Sequence, residues 1–212
     1  KAAELDVNLI GITGSSLNAL NQEHLMRNVL YDLINPDLFD GFVVPIGSLS
    51  RFTGTEKYLD YIKDWLKKPL ITVIGEKVEG KPKVSPDYRN GMTTLMSHLF
   101  KEHNCRNIAI IRGEKNNKAS NIREASYKEF IKKNNLDFRE EWVFSGSLGY
   151  SLGEQAAAFF LEKGLDKLDA IVTTHDRTAI GALREFKRKN IKVPDEIIVC
   201  GFQGISEGIF CS

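Results

Sequence analysis

The sequence is poor in cysteine, almost without net charge, and lacks a long apolar run. Its three cysteines, Cys105, Cys200 and Cys211, are too few and too irregularly spaced for a disulfide framework or a cysteine-based metal site. The net charge of +1 provides no field that would draw the chain to nucleic acid or to an anionic membrane. These absences exclude a disulfide-rich secreted domain and a chain that binds DNA by charge alone.

No apolar run approaches the roughly 20 residues that are needed to cross a bilayer. Residues 1–6 show no export leader, so either the protein is not exported or a leader has been removed, and we favour the first. We therefore expect a cytoplasmic protein with reduced thiols and no membrane contact.

Catalytic and cofactor motifs are missing or incomplete. Residues 75–81 resemble a phosphate-binding loop, but Pro82 stands where a Ser or Thr must hold magnesium. Residues 204–208 fit the G-x-S-x-G pattern of a nucleophile elbow, yet too few residues follow for the Asp and His of a triad. We find no paired carboxylates, Cys-x-x-Cys pair or G-x-G-x-x-G fingerprint. The sequence favours a binding protein without a cofactor over an enzyme.

The four histidines form no metal-binding motif. His98 and His103 are five residues apart, which would place their rings on different faces of a continuous helix. His175 differs because it follows a predicted strand directly. We expect no metal site and regard His175 as a candidate for ligand binding.

Short apolar runs alternate along the chain with longer segments of helical period. The runs predict strands over residues 7–12, 41–45, 70–74, 107–111, 142–144, 170–173 and 196–200. Helical spacing is clearest for Met92, Leu95, Met96, Leu99 and Phe100, and for Ala179, Ala182, Leu183 and Phe186. The strand runs are continuously apolar, as burial on both faces requires, so we predict an α/β fold with parallel sheets covered by helices.

A polar stretch at residues 101–104 divides the chain into nearly equal halves. We predict two Rossmann-like lobes, residues 1–102 and 103–212, with a ligand cleft. In such folds ligands bind beyond the carboxyl ends of the strands, and the residues that follow the strands are therefore the candidate site residues.

An ordered series of motifs runs from Val84 onward. It comprises residues 84–91, 99–103, 106–113, Arg123 with Tyr127 and Phe130, Gly153, 169–176, 179–183 and 193–202. In this order the motifs resemble the effector-binding core of LacI/GalR-type regulators and of type I periplasmic binding proteins. The resemblance implies the periplasmic-binding-protein-like type I fold and a sensor that closes around a small polar metabolite.

Carried over by position, the family's ligand-facing residues would be Asp87 on the first lobe and Arg123, His175 and Gln203 on the second. The fork of Arg123 and the carboxylate of Asp87 suit hydroxyl groups of a sugar. Arg123 could equally be a solvated helix residue, and Asp87 could equally be a helix N-cap. Leu148, with Tyr150 nearby, could supply an apolar face to the ligand.

Two positions depart from the family pattern. His175 stands where the family usually has Asn, and Gln203 stands where it has an acidic residue. Without that carboxylate to accept hydroxyl groups, the sequence disfavours a simple hexose as the ligand. Another sugar, a nucleoside or a similar metabolite remains open as the ligand.

The ends also depart from the pattern. The strand and helix that open the family's first lobe, and its return to that lobe after Phe202, are missing, so we expect a domain truncated at both ends. Residues 27–33 and 39–44 resemble the version fused to diguanylate cyclases or histidine kinases.

The resemblance further implies a homodimer that contacts DNA only through a segment absent from this chain. The alternatives are a solute-binding protein of a transport system and, less favoured, an enzyme of the doubly wound α/β class. The sequence leaves open the ligand, the attached output domain and the oligomeric state.

Overall fold

The computed structural model describes residues 3–18, 22–50, 53–68, 70–75, 77–115, 117–164 and 168–211. Its contacts divide the chain into two compact units, Lys1–Pro86 and Asp87–Ser212. Each unit is built on a parallel sheet. The predicted α/β class is thereby confirmed.

The first unit contains a three-stranded sheet, in which the strands are paired in the order in which they occur along the chain. Its elements are α1 (Gln22–Arg27), α2 (Val29–Asp32), β1 (Gly41–Val44), α3 (Ile46–Leu49), α4 (Thr55–Tyr61), α5 (Lys63–Leu66), β2 (Leu70–Ile74) and β3 (Lys83–Val84). Tyr31, Tyr58 and Trp65 form an aromatic-rich core together with Ile46 and Ile62.

The prediction of a strand over residues 7–12 is wrong. This segment has no regular secondary structure, and Val7, Leu9 and Ile10 are all more than half exposed. An apolar run becomes a strand only when a neighbour supplies the backbone hydrogen bonds. The described sheet of this unit pairs only β1, β2 and β3.

The second unit contains a four-stranded sheet. Its elements are α6 (Tyr88–Glu102), β4 (Ile108–Gly113), α7 (Lys118–Lys133), β5 (Val143–Gly146), α8 (Tyr150–Lys163), β6 (Ala170–Thr173), α9 (Asp176–Arg188) and β7 (Ile198–Cys200). The strand order in the sheet is β5-β4-β6-β7. The predicted strands other than 7–12 are confirmed: those at residues 70–74 and 170–173 have the predicted ends, and the ends of the other four differ by at most two residues. The two-residue β3 was not predicted.

Helices cover both faces of the second sheet. Along β4, Ala109 and Ile111 pack into a core with α8 and α9, whereas Ile108 and Ile110 pack into a separate core with α6 and α7. Alternate residues of one strand thus enter different cores, which explains why residues 108–111 of β4 are all apolar.

The contacts place α6 in the second unit, whereas the predicted boundary placed it in the first lobe. Met92, Met96 and Leu99 of this helix are fully buried in the core that contains Ile108 and Ile110 of β4. The two divisions therefore differ by this helix and the residue before it.

The helices α8 and α9 approach each other at the level of the backbone. A Cβ atom on Gly153 would lie 1.9 Å from the carbonyl oxygen of Thr178, and one on Gly181 would lie 2.0 Å from that of Tyr150. Neither position has room for a side chain. No helix among the described residues has the length and apolar character needed to span a membrane.

Candidate functional site

The carboxyl edge of the second sheet brings most of the candidate residues together. Leu148 follows β5, His175 follows β6 and Gln203 follows β7, while Arg123 lies on α7. Since the four strands are parallel, the segments after them share one edge.

Arg123 is a buried residue and not a solvated one. Its side chain is 5% exposed, and its Nη1 donates a hydrogen bond of 2.5 Å to the carbonyl oxygen of Thr174. The guanidinium carbon lies 4.4 Å from the ring centre of Tyr88 and 4.1 Å from that of Phe202. Two aromatic faces therefore hold the buried cation, and burial lowers its pKa.

The Nε atom of Arg123 is buried and finds no hydrogen-bond partner in the described part of the chain. Buried donors are rarely left unpaired in native proteins, and leaving one unpaired costs about 1–3 kcal/mol. Arg123 therefore retains a donor that a bound molecule could use.

Gly91 on α6 makes room for the ring of Phe202. A Cβ atom at position 91 would lie 2.8 Å from the Cζ atom of that ring. The rings of Tyr88 and Phe202 have their centres 6.4 Å apart. A larger residue at position 91 would displace Phe202, one of the two rings that flank Arg123.

His175 contributes a second buried polar atom without a partner. Its Nδ1 accepts or donates no hydrogen bond within the described residues, and burial lowers the pKa of its imidazole. His175 directly follows Thr174, the residue whose carbonyl group binds Arg123. The two residues that carry these unpartnered nitrogen atoms are therefore linked through Thr174.

Asp176, the first residue of α9, holds the loop after β7. Its Oδ1 accepts hydrogen bonds from the backbone amides of Phe202 and Gln203, and its Oδ2 accepts one of 2.8 Å from the amide of Ile205. Burial alone would raise the pKa of Asp176, but these backbone hydrogen bonds outweigh it and lower the pKa. Both oxygens of this carboxylate therefore already accept hydrogen bonds from the protein backbone.

Asp87 is the N-cap of α6. Its Oδ1 accepts a hydrogen bond of 3.0 Å from the backbone amide of Asn90, and the residue is exposed. The N-cap interpretation is confirmed, and a role in ligand binding stays a prediction. Asp87 precedes Tyr88 and so lies next to the ring that contacts Arg123.

Leu148 and Gln203 differ in their burial. Leu148 is half-buried, and its side chain lies 3.0–3.3 Å from where a Cβ atom on Gly113 would be. Gln203 is exposed, and its backbone amide donates to Asp176. Tyr150, suggested as a partner of Leu148, donates its hydroxyl hydrogen to Glu207 at 2.8 Å.

A buried polar group at this edge was not predicted from the sequence. The Oγ of Ser120 accepts a hydrogen bond of 2.8 Å from the amide of Gly113 and shares one of 3.2 Å with the hydroxyl of Thr174. Sequence reasoning also missed Tyr88 and Phe202 as site residues. The sequence could have indicated them only because each is an aromatic residue next to a candidate site residue: Tyr88 follows Asp87, and Phe202 precedes Gln203.

His98 and His103 do not point apart as expected. The helix α6 ends at Glu102, and the ring of His103 turns back so that its Nε2 lies 3.1 Å from the Nε2 of His98. The expectation of different helix faces is wrong because His103 is not in the helix. Among the described residues no three His, Cys, Asp or Glu side chains converge as a metal-binding group.

Comparison with known proteins identifies relatives of this fold. The family model described as "Periplasmic binding protein-like domain" matches residues 97–210. The transcriptional regulator GalR of Streptococcus thermophilus is 30% identical over 143 residues, which cover 65% of this chain and 43% of that protein. Catabolite control protein A of Priestia megaterium is 24% identical over 197 residues, covering 90% of this chain and 54% of that protein. The chain thus spans about half the length of these curated relatives.

Solved structures of regulators have a similar fold. The transcription regulator CcpA of Lactococcus lactis matches with a TM-score of 0.66 and 24% identity, covering 96% of this chain and 69% of that chain. A complex of the transcriptional regulator CelR with cellobiose matches with a TM-score of 0.60 and 25% identity, covering 76% of this chain and 48% of that chain.

Proposed function

Since the chain belongs to the periplasmic binding protein-like domain family, with LacI/GalR-type regulators as its relatives, we propose that it senses a small polar effector through its second unit. It would be the effector-binding part of a LacI/GalR-type transcriptional regulator or of a related bacterial signalling protein. In this proposal Arg123 and His175 bind the ligand, and Asp87, Leu148 and Gln203 are further ligand-binding residues.

One observation carries the proposal: Arg123 and His175 each hold a buried nitrogen atom with no partner among the residues described. Both lie at the carboxyl edge of a parallel sheet, where ligands of such folds bind. An oxygen-rich ligand would supply the missing partners and remove the cost of leaving the atoms unpaired.

The chemistry of the site favours a ligand with hydroxyl, carbonyl or carboxylate oxygens. A guanidinium group offers only donors, and a neutral imidazole offers one donor and one acceptor. Asp176 has little accepting capacity left for ligand hydroxyls, because its two oxygens already accept hydrogen bonds from three loop amides. A sugar, a nucleoside or a similar metabolite fits these groups, and the similar regulator CelR was solved with cellobiose.

The remaining parts of the proposal concern the whole protein. It acts in the cytoplasm as a homodimer, performs no catalysis, needs no cofactor and contacts DNA only through a segment outside these 212 residues. The alternative of a solute-binding transport protein uses the same fold. The regulator is favoured because the relatives named above are transcriptional regulators.

The test is a thermal-shift screen of sugars, nucleosides and amino acids on the wild-type chain and on Arg123→Lys. Arg112→Lys is the matched control, because Arg112 is also buried but its Nε is satisfied by the carbonyl oxygen of Gly113 at 2.7 Å and its Nη1 by Glu124 at 2.5 Å.

We expect a ligand that raises the melting temperature of the wild type and of Arg112→Lys, with the increase lost in Arg123→Lys. An equal increase in Arg123→Lys would remove Arg123 from the site, and the absence of any stabilising compound in all three classes would contradict the proposal.

A further inference from the structure

Two exposed imidazoles meet at the end of α6. The Nε2 atoms of His98 and His103 are 3.1 Å apart, and the ring centres are 4.8 Å apart with an interplanar angle of 77°. Both residues are exposed. At this separation the Nε2–H of one imidazole donates a hydrogen bond to the Nε2 lone pair of the other. A metal ion that binds both Nε2 atoms would replace the proton of this hydrogen bond.

The backbone holds His103 in place. His103 is the C-cap of α6, Asn104 follows in the left-handed region with φ of 53°, and the amide of Cys105 donates a hydrogen bond of 3.0 Å to the carbonyl oxygen of Leu99. The chain after the turn is fixed as well, because Cys105 is buried in the core. The turn that brings the two rings together is therefore part of the folded structure.

We propose that His98 and His103 together bind one divalent transition-metal ion through their Nε2 atoms. Two nitrogens that are each about 2.0–2.1 Å from a tetrahedral ion lie roughly 3.3 Å apart, close to the observed separation. Rotation of the two rings directs both Nε2 lone pairs at the ion. The ring that donated through Nε2 then carries its single proton on Nδ1 instead, by exchange with water. Water completes the coordination.

Imidazole ligands set the class of ion. They suit Ni²⁺, Cu²⁺ and Zn²⁺, with affinity generally highest for Cu²⁺, and they are poor ligands for Mg²⁺ and Ca²⁺. Glu102 and His98 line the same surface pocket of about 370 Å³, so a carboxylate is available nearby to favour a cation. Lys101 also lines it and opposes a cation, which limits the affinity.

Binding would join the last turn of α6 to the segment that leads into β4. An ion that binds only the folded chain stabilises it in proportion to the logarithm of its concentration over the dissociation constant. The site is independent of the effector proposal, because it involves neither Arg123 nor His175.

The test is calorimetric titration of Ni²⁺ alone into a Cys211→Ser parent chain and into its His98→Ala and His103→Ala variants. His24→Ala is the matched control, since each of the three variants retains three of the four histidines. All are made in a Cys211→Ser background, because Cys211 is an exposed thiol that could bind metal itself. Circular dichroism checks that each variant is folded.

We expect one ion per chain for the parent and for His24→Ala, with at least tenfold weaker binding for His98→Ala and for His103→Ala. The electron paramagnetic resonance spectrum of the Cu²⁺ complex should show two coordinating nitrogens in the parent and fewer in either variant. Binding that persists in both folded variants, or a parent that shows no saturable binding of one ion, would overturn the proposal.

Discussion

The carboxylate of Asp176 accepts a hydrogen bond from the backbone amide of Phe202, 26 residues further along the chain. The same carboxylate binds the amides of Gln203 and Ile205, so the first residue of α9 holds the loop after β7. This loop carries the ring that lies over Arg123. The position of the buried guanidinium group thus depends on a carboxylate that does not contact it in a hydrogen bond.

Replacing Asp176 with Asn tests this relationship. Asn keeps the shape but has one acceptor oxygen, and its NH₂ group would face a backbone amide that also donates. We expect the free energy of unfolding to fall by roughly 2–4 kcal/mol, since a buried charged acceptor is lost and amides are left unpaired. Urea denaturation at pH 7 measures the change. A decrease below about 0.5 kcal/mol would show that the loop is held by other contacts.

The same residue makes stability depend on pH in the acid range. Because the folded state lowers the pKa of Asp176, its contribution is complete above the unfolded value of about 3.9 and is lost as the pH falls through the folded value. Between pH 5 and pH 2, stability should therefore fall more steeply in the wild type than in Asp176→Asn. Parallel curves would contradict this assignment.

The helix contact at Gly153 and Gly181 should tolerate no side chain. A Cβ atom at either position would overlap a backbone oxygen of the opposite helix, and backbone cannot move aside as the end of a side chain can. We expect Gly153→Ala and Gly181→Ala each to lower stability by about 3 kcal/mol or more. Gly208→Ala is the control, because no atom lies within 4 Å of a Cβ atom there. Equal melting temperatures for all three variants would refute the close contact.

Two substitutions at Asp87 separate its capping role from ligand binding. Asp87→Ala removes the N-cap of α6 and should cost about 1 kcal/mol, whereas Asp87→Asn keeps a capping oxygen and should cost little. If the carboxylate accepts ligand hydroxyls, Asp87→Asn should still weaken ligand binding at least fivefold in a calorimetric titration. Unchanged ligand affinity in Asp87→Asn would show that Asp87 acts only as the N-cap of α6.

His175 should make stability depend on pH near neutrality. Burial lowers the pKa of its imidazole, so the folded state favours the neutral ring. The contribution of His175 is complete above the unfolded pKa of about 6.5 and declines as the pH falls below it. Thermal melts between pH 7.5 and pH 5.5 should show a smaller decline for His175→Gln than for the wild type. An identical decline would mean that His175 does not favour the neutral form.

The strands and helices of the second unit were largely predictable. The runs at β4 and β6 are apolar because their residues enter cores on both faces, and the spacing of Met92, Met96 and Leu99 matches the buried face of α6. Residues 7–12 carry the same composition without forming a strand, because composition does not show whether a neighbouring strand is present.

The site was predictable in its place but not in its contacts. The edge of the sheet follows from the order of strands and helices, and so do the positions of His175 and Gln203. The burial of Arg123 does not, because it depends on two rings that come from distant parts of the chain, Tyr88 and Phe202. The approach of His103 to His98 depends on the residue at which α6 ends, and helix ends are weakly encoded in a sequence.

The most direct test of effector binding is the Nε–H resonance of Arg123 in a two-dimensional ¹H–¹⁵N spectrum, assigned by its disappearance in Arg123→Lys. The Nε–H of Arg112, which already donates to Gly113, is the internal reference. Saturation with the stabilising ligand should shift the Arg123 signal to higher proton frequency, as a new hydrogen bond does, and leave the Arg112 signal in place. A saturated complex in which the Arg123 signal has not moved would contradict the account.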